Sequence, residues 1–191
     1  MTIWADGDSL QVEIRRLLET RCLREASREG GPRFRLVYVA SRPLRVPEGI
    51  GFILVEPGRD AADARIEADS AKGDLAVTRD LPLAEVLAAK GIFVLNDRGE
   101  SFDLDRARER RSIRDEALRL RALGLAPESP RKRNWGSREL RAFADAFDRS
   151  LQKALRQADR EGPGAENQGE LRVEDGIAGA GESSAAGDSR P

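Results

Sequence analysis

The chain has 191 residues, of which 35% are charged, 39% hydrophobic and 5% aromatic, with a net charge of −1; that holds one ordinary domain plus a tail, with enough apolar side chains for a sheet covered by helices. Histidine is absent, which excludes a Ser-His-Asp triad, a Cys-His pair, a His-ligated zinc and an imidazole base. Any chemistry must run on carboxylates, lysines, arginines, hydroxyls or a metal.

Ile3-Trp4-Ala5 is an apolar run that ends on two carboxylates one residue apart, Asp6 and Asp8. It reads as a buried strand with both acids at its C-terminal end, where α/β sheets place ligands and where oxygen donors suit Mg²⁺ or Mn²⁺. A plainer reading of Asp8 or Ser9 is a cap on the following helix. That helix carries Val12, Ile14, Leu17, Leu18 and Cys22 on one face and runs to Gly30-Gly31-Pro32. Cys22, the single cysteine, reads as a small core residue, in keeping with a reducing compartment. Phe34, Leu36, Tyr38 and Ala40 alternate with Arg33, Arg35 and Val37 as a second strand.

Gly51 to Val55 is a short apolar run between Gly and Pro, the pattern of a strand covered on both faces. A turn at Pro57-Gly58-Arg59-Asp60 releases a helix over Ala61 to Ala68, with Asp60 as its N-cap and Asp63 in its first turn. Leu75 to Thr78 repeats the opening pattern, ending at Asp80 before a helix started by Pro82. Ile92 to Leu95 makes another buried strand, and a strand-helix-strand of this length is a parallel crossover. The turn Asn96-Asp97-Arg98-Gly99 then falls at the same sheet edge as Asp6 and Asp80.

From Asp103 to Ala122 the chain reads as a long basic helix with an interrupted apolar face of Ala107, Ile113, Ala117, Leu118 and Leu120. Between Arg106 and Arg141 there are 12 basic and 5 acidic residues. Arg110, Arg111, Arg114, Arg131, Lys132 and Arg133 are candidates for backbone phosphates, with Trp135 beside them for an unpaired base; a solvated helix face is the commoner meaning of such a run. A last helix opens at Ser137 and places Ala144, Phe147, Leu151 and Leu155 at core spacing. The expected domain is 1–157, followed by a disordered acidic tail over 158–191. From Asp159 onward 8 acidic and 3 basic residues leave the rest of the chain at +4. With no run of roughly 20 apolar residues and no leader-like N-terminus, the expectation is a soluble cytoplasmic protein with no membrane contact.

Four segments carry a family resemblance: Ile3 to Asp8, Gly58 to Asp63, Gly73 to Ala84, and Asn96 to Gly99. In them the chain resembles the YaiI/YqxD family of uncharacterised bacterial proteins, whose fold is grouped with PIN-like and NYN-type nucleases. The resemblance implies a PIN-like three-layer α/β/α sandwich with a central, mainly parallel sheet. It further implies a metal-dependent ribonuclease in which Asp6, Asp8 and Asp80 are catalytic. These three and Asp63 would gather around Mg²⁺ or Mn²⁺, supported by Asp60, Thr78 and Asn96. RNA is the implied partner, and a homodimer is in keeping with the PIN-type habit of pairing. Two departures stand out. Family members usually continue the first aspartates as Asp-Ala-Cys-Pro, where this chain has Asp8-Ser9-Leu10-Gln11, and commonly carry Asn where it has Ala64. The alternative reading is therefore a non-catalytic RNA- or protein-binding module with a degraded metal site; a phosphatase using the same carboxylate cage is a third.

Overall fold

The structure, a computed structural model, describes residues 1–58, 60–125 and 136–161. Its strands are β1 (Thr2–Asp6), β2 (Arg35–Ala40), β3 (Gly51–Leu54), β4 (Leu75–Val77), β5 (Phe93–Leu95) and β6 (Ser101–Phe102). They form one sheet in the order β3-β2-β1-β4-β5-β6. The first five strands are parallel, and β6, which the sequence did not signal, returns antiparallel along β5.

Side chains alternate across the sheet and so build two cores. Ile3, Ala5, Leu36, Tyr38, Leu75 and Val77 face α1 (Val12–Ala26) and α5 (Ser137–Glu161). Trp4, Val37, Val39, Ala76 and Val94 face α2 (Ala61–Asp69), α3 (Leu81–Ala89) and the first turns of α4 (Leu104–Ala122). The result is the expected three-layer α/β/α sandwich around a mainly parallel sheet.

Several boundaries and faces differ from the local reading. α1 stops at Ala26, short of the glycines. β2 is buried on both faces beyond Arg35, because helices cover both sides of this interior strand. β3 has the reverse fate: its apolar run lies at the sheet margin, and Leu54 is 55% exposed. In α4 only Ala107 is fully buried, while Ile113 and Leu118 are more than half exposed, since only its N-terminal turns reach the sheet layer. α5 buries Phe143, Ala146, Phe147, Ser150, Leu151 and Ala154, a stripe that keeps Phe147 and Leu151 but leaves Ala144 and Leu155 on its margin.

α5 also runs four residues past the expected domain end at 157, to Glu161. Arg33 reaches both Asp159 carboxylate oxygens at 2.7 Å, and Lys72 pairs with Glu161 at 3.0 Å. The tail from 162 onward lies outside the described residues. No helix among the described residues is long and apolar enough to cross a membrane.

The chain order fixes where a site can form. From β1 the chain moves outward through β2 to β3, then returns to lay β4 on the other side of β1. That reversal opens a crevice at the C-terminal ends of β1 and β4.

Candidate carboxylate cleft

Asp6 is the last residue of β1 and 6% exposed. Its Oδ1 accepts the backbone N–H groups of Asp8 at 3.1 Å and Ser9 at 3.3 Å, and its Oδ2 faces the Thr78 hydroxyl at 3.5 Å. Thr78, just past β4, continues its pairing through its N–H to the Leu95 carbonyl. Its Oγ1 in turn accepts the Asp80 N–H at 3.0 Å. Asp80 caps α3, with Oδ1 accepting the Leu83 N–H at 2.9 Å. Capping therefore occupies one carboxylate oxygen and fixes the side chain's orientation.

Asp63 enters from the first turn of α2. Asp6, Asp63, Thr78, Asp80 and Asn96 line one cleft of about 840 Å³, roofed by Arg110, Arg114 and Arg121 of α4. Burial, and then the charges of Asp80, Asp6 and Asp60, push the Asp63 carboxyl up to about 6. Like charges sharing one low-dielectric space have this effect.

Asp8 goes elsewhere. Its Oδ2 accepts the Ser41 N–H at 2.6 Å and the Ser41 hydroxyl at 2.8 Å, while Arg42 Nε lies 3.2 Å from Oδ1. It ties the end of β1 to the loop after β2 and does not line the cleft. Asn96 organises the turn after β5, its Oδ1 accepting the N–H groups of Arg98 and Glu100. Asp60 stands at the N-cap position of α2 in the left-handed region, at φ 60°, without a side-chain capping bond, and lines a neighbouring cleft.

Of the basic candidates, Arg110 pairs with Glu100 at 2.6 Å and Arg111 with Glu85 at 2.8 Å. Arg114 faces both clefts. Arg131, Lys132, Arg133 and Trp135 lie outside the described residues. Sequence reasoning missed Asp97, 8% exposed and held at 3.1 Å by Arg79, although it follows β5 as Asp8 follows β1. It also missed Arg121, whose place in the cleft depends on the direction of α4.

Among the described residues no group of three or more acidic or cysteine side chains is placed to hold a metal ion. Asp6, Asp63 and Asp80 line one cleft without forming such a group; a Mg²⁺-like cation, which keeps several of its waters and takes one or two protein carboxylates together with substrate phosphate oxygens, does not require one. Their mutual repulsion at Asp63 is what a divalent cation would relieve.

A family model described as "Uncharacterized BCR, YaiI/YqxD family" matches residues 4–153. A UPF0178 protein of Treponema denticola is 38% identical over 82% of this chain and 96% of its own length. One from Treponema pallidum is 40% identical over 84% and 86%, and one from Psychromonas ingrahamii 38% over 81% and 97%. No solved structure matches.

Proposed function

The chain belongs to the YaiI/YqxD family, and from that premise we propose that it is a divalent-metal-dependent hydrolase of RNA phosphodiesters. One observation carries the reading: Asp6, Asp63 and Asp80 share the switch-point cleft with Arg110 and Arg114. Carboxylates suit a hard cation and guanidinium groups suit phosphate, so the two halves of the cleft match the two halves of a metal-phosphodiester complex.

Asp6, Asp63 and Asp80 are the residues that would hold Mg²⁺ or Mn²⁺, which supplies a water of lowered pKa and neutralises charge developing on the phosphoryl oxygens. Thr78 faces the Asp6 carboxylate with its hydroxyl and accepts the Asp80 backbone N–H, which ties Asp6 to the turn that carries Asp80. Asn96 holds the far wall through its turn, and Arg114 is available to a phosphate oxygen. Asp8 contributes by anchoring the end of β1 rather than by ligating. The carboxylates all come from one chain; pairing of two copies is part of the proposal only as an assembly, checked by mass in solution.

A second reading has its own support. The carboxylates do not close into a cage, and Asp8 is engaged by Ser41 and Arg42. Both observations suit a module that binds RNA without cutting it.

The test is a Mn²⁺ titration followed by thermal melting and by cleavage of RNA oligonucleotides. A formed site stabilises the fold by about 2.7 kcal/mol at a hundredfold excess over Kd. The double substitution Asp6→Asn and Asp80→Asn should abolish both the metal-dependent shift and cleavage while leaving the fold intact, because Asn caps a helix as Asp does. Cleavage undiminished in that variant refutes the site; no cleavage by the unmutated protein favours the binding module.

A further inference from the structure

Two clefts meet at the carboxylates. The second, about 510 Å³, opens over α2 and α3, and Asp63, Asp80 and Arg114 line both. Away from these shared residues the two differ in charge. The first cleft adds Arg79 and Arg110, paired with Asp97 and Glu100, and beyond those pairs Arg98 and Arg121 against Asp6. The second adds only Arg111, which is held by Glu85, against Asp60, Glu67 and Asp115. Its floor is apolar, formed by Pro82, Leu83, Val86 and Leu118.

α4 supplies the dividing wall. Arg110, Arg114, Ala117 and Arg121 follow one another at steps of four, three and four residues, so they form one stripe about 16 Å long at 1.5 Å per residue. Among the described residues neither Arg114 nor Arg121 has a carboxylate partner, and the Arg121 Nε, like those of Arg15 and Arg21, has no hydrogen-bond acceptor. A guanidinium that lines a cleft without a carboxylate partner is available to a phosphate oxygen. The exposed apolar residues of α4 divide in the same way, Ile113 on the first cleft and Leu118 on the second.

Resting on the hydrolase reading, we propose that the polynucleotide is gripped through its phosphates on one side of the scissile bond only. On that side the backbone follows Arg114 and Arg121 along α4. On the other it crosses the second cleft, where Asp60, Glu67 and Asp115 repel phosphate and the bases lie against Val86 and Leu118. The footprint is asymmetric, and strand polarity in the cleft follows from it.

The experiment uses single-stranded RNA oligonucleotides with neutral methylphosphonate linkages in either the 5′ or the 3′ half. Affinity is measured without divalent metal and cleavage with Mn²⁺. One placement should weaken binding and cleavage at least tenfold, roughly the loss of two charge-assisted contacts, and the other less than twofold. Arg121→Gln should lower affinity for the fully charged strand, shrink its salt dependence by about one phosphate contact, and reduce the effect of the sensitive placement. Arg114→Gln repeats the measurement on a second residue, and melting curves of both variants check that they fold. Equal losses from the two placements, or an unchanged salt dependence in both variants, overturn the asymmetric footprint while leaving the hydrolase reading intact. If the unmutated protein neither binds nor cuts the charged strand, the hydrolase reading itself falls, and this inference with it.

Discussion

Asp63 and Asp74 are both acids on segments that carry the family resemblance, yet they do opposite things to the fold. Asp63 is pushed up to about 6 by burial and by Asp80, Asp6 and Asp60. A carboxyl whose folded pKa lies above its ordinary value of 3.8 favours folding in its protonated form. Its penalty is therefore absent below about pH 4, grows between 4 and 6, and is complete above 6. Asp63→Asn should raise the urea midpoint at pH 7.5 by a stability on the order of 1 kcal/mol, allowing for solvent screening, with the gain fading toward pH 4. A gain independent of pH would point to packing instead. Asp74 sits at the opposite, N-terminal edge of β4. Its carboxylate accepts the Thr2 N–H at 2.7 Å, the Trp4 indole N–H at 3.0 Å and the Ala71 N–H at 3.1 Å. Asp74→Ala leaves three donors without their acceptor and should cost at least about 3 kcal/mol in denaturant unfolding. It lies too far along the strand to touch the cleft.

At the scale of elements, docking of α5 depends on one turn. Gly99 has φ +77°, and a Cβ there would meet the Ala142 carbonyl and Ala146 Cβ at 2.9 Å. Backbone and helix cannot yield as a flexible side chain would, so Gly99→Ala should destabilise by about 2–4 kcal/mol, read from the melting temperature. Phe143 and Phe147, stacked at 6.1 Å, would lose their seat beneath that turn. α4 is the contrasting case. Its charge pattern holds it by surface pairs to α3, Arg108 and Arg111 both meeting Glu85, whose carboxyl they hold below its usual range. It buries little else, which leaves Arg114 and Arg121 to face the cleft, while Arg110 is paired with Glu100.

At the scale of the molecule, the described structure ends with α5 at Glu161. Truncation after Glu161 should leave the melting temperature unchanged, because a segment as rich in Gly, Ala, Glu and Ser as 162–191 has too few apolar side chains to offset its ordering entropy. Truncation after Gln157 removes Asp159 and Glu161, with their pairs to Arg33 and Lys72, and should lower it slightly. A drop of several degrees in the longer variant would show that the tail packs on the domain. The layer architecture itself was legible from local pattern. Short apolar runs ending at Asp6, Asp80 and Asn96, separated by amphipathic helices, permit little besides a parallel sheet with its acids at one edge.

Tertiary structure decided what such runs cannot encode. Asp8 and Asp80 look alike in sequence, each just beyond its strand and before a helix. One turns to the Ser41 N–H and hydroxyl, the other to the first turn of α3, because a side chain follows the donors its neighbours present. The apolar run of β3 reads as interior, yet only sheet order puts it at the margin. Arg110 and Arg114 stand out in the basic run while Arg121 does not, and which cleft any of them faces depends on how α4 leaves β6. Sequence set the residues and their periodicity, since those rest on local backbone geometry. Which carboxylates share a field, and which arginines face them, was fixed by contacts between elements far apart in the chain.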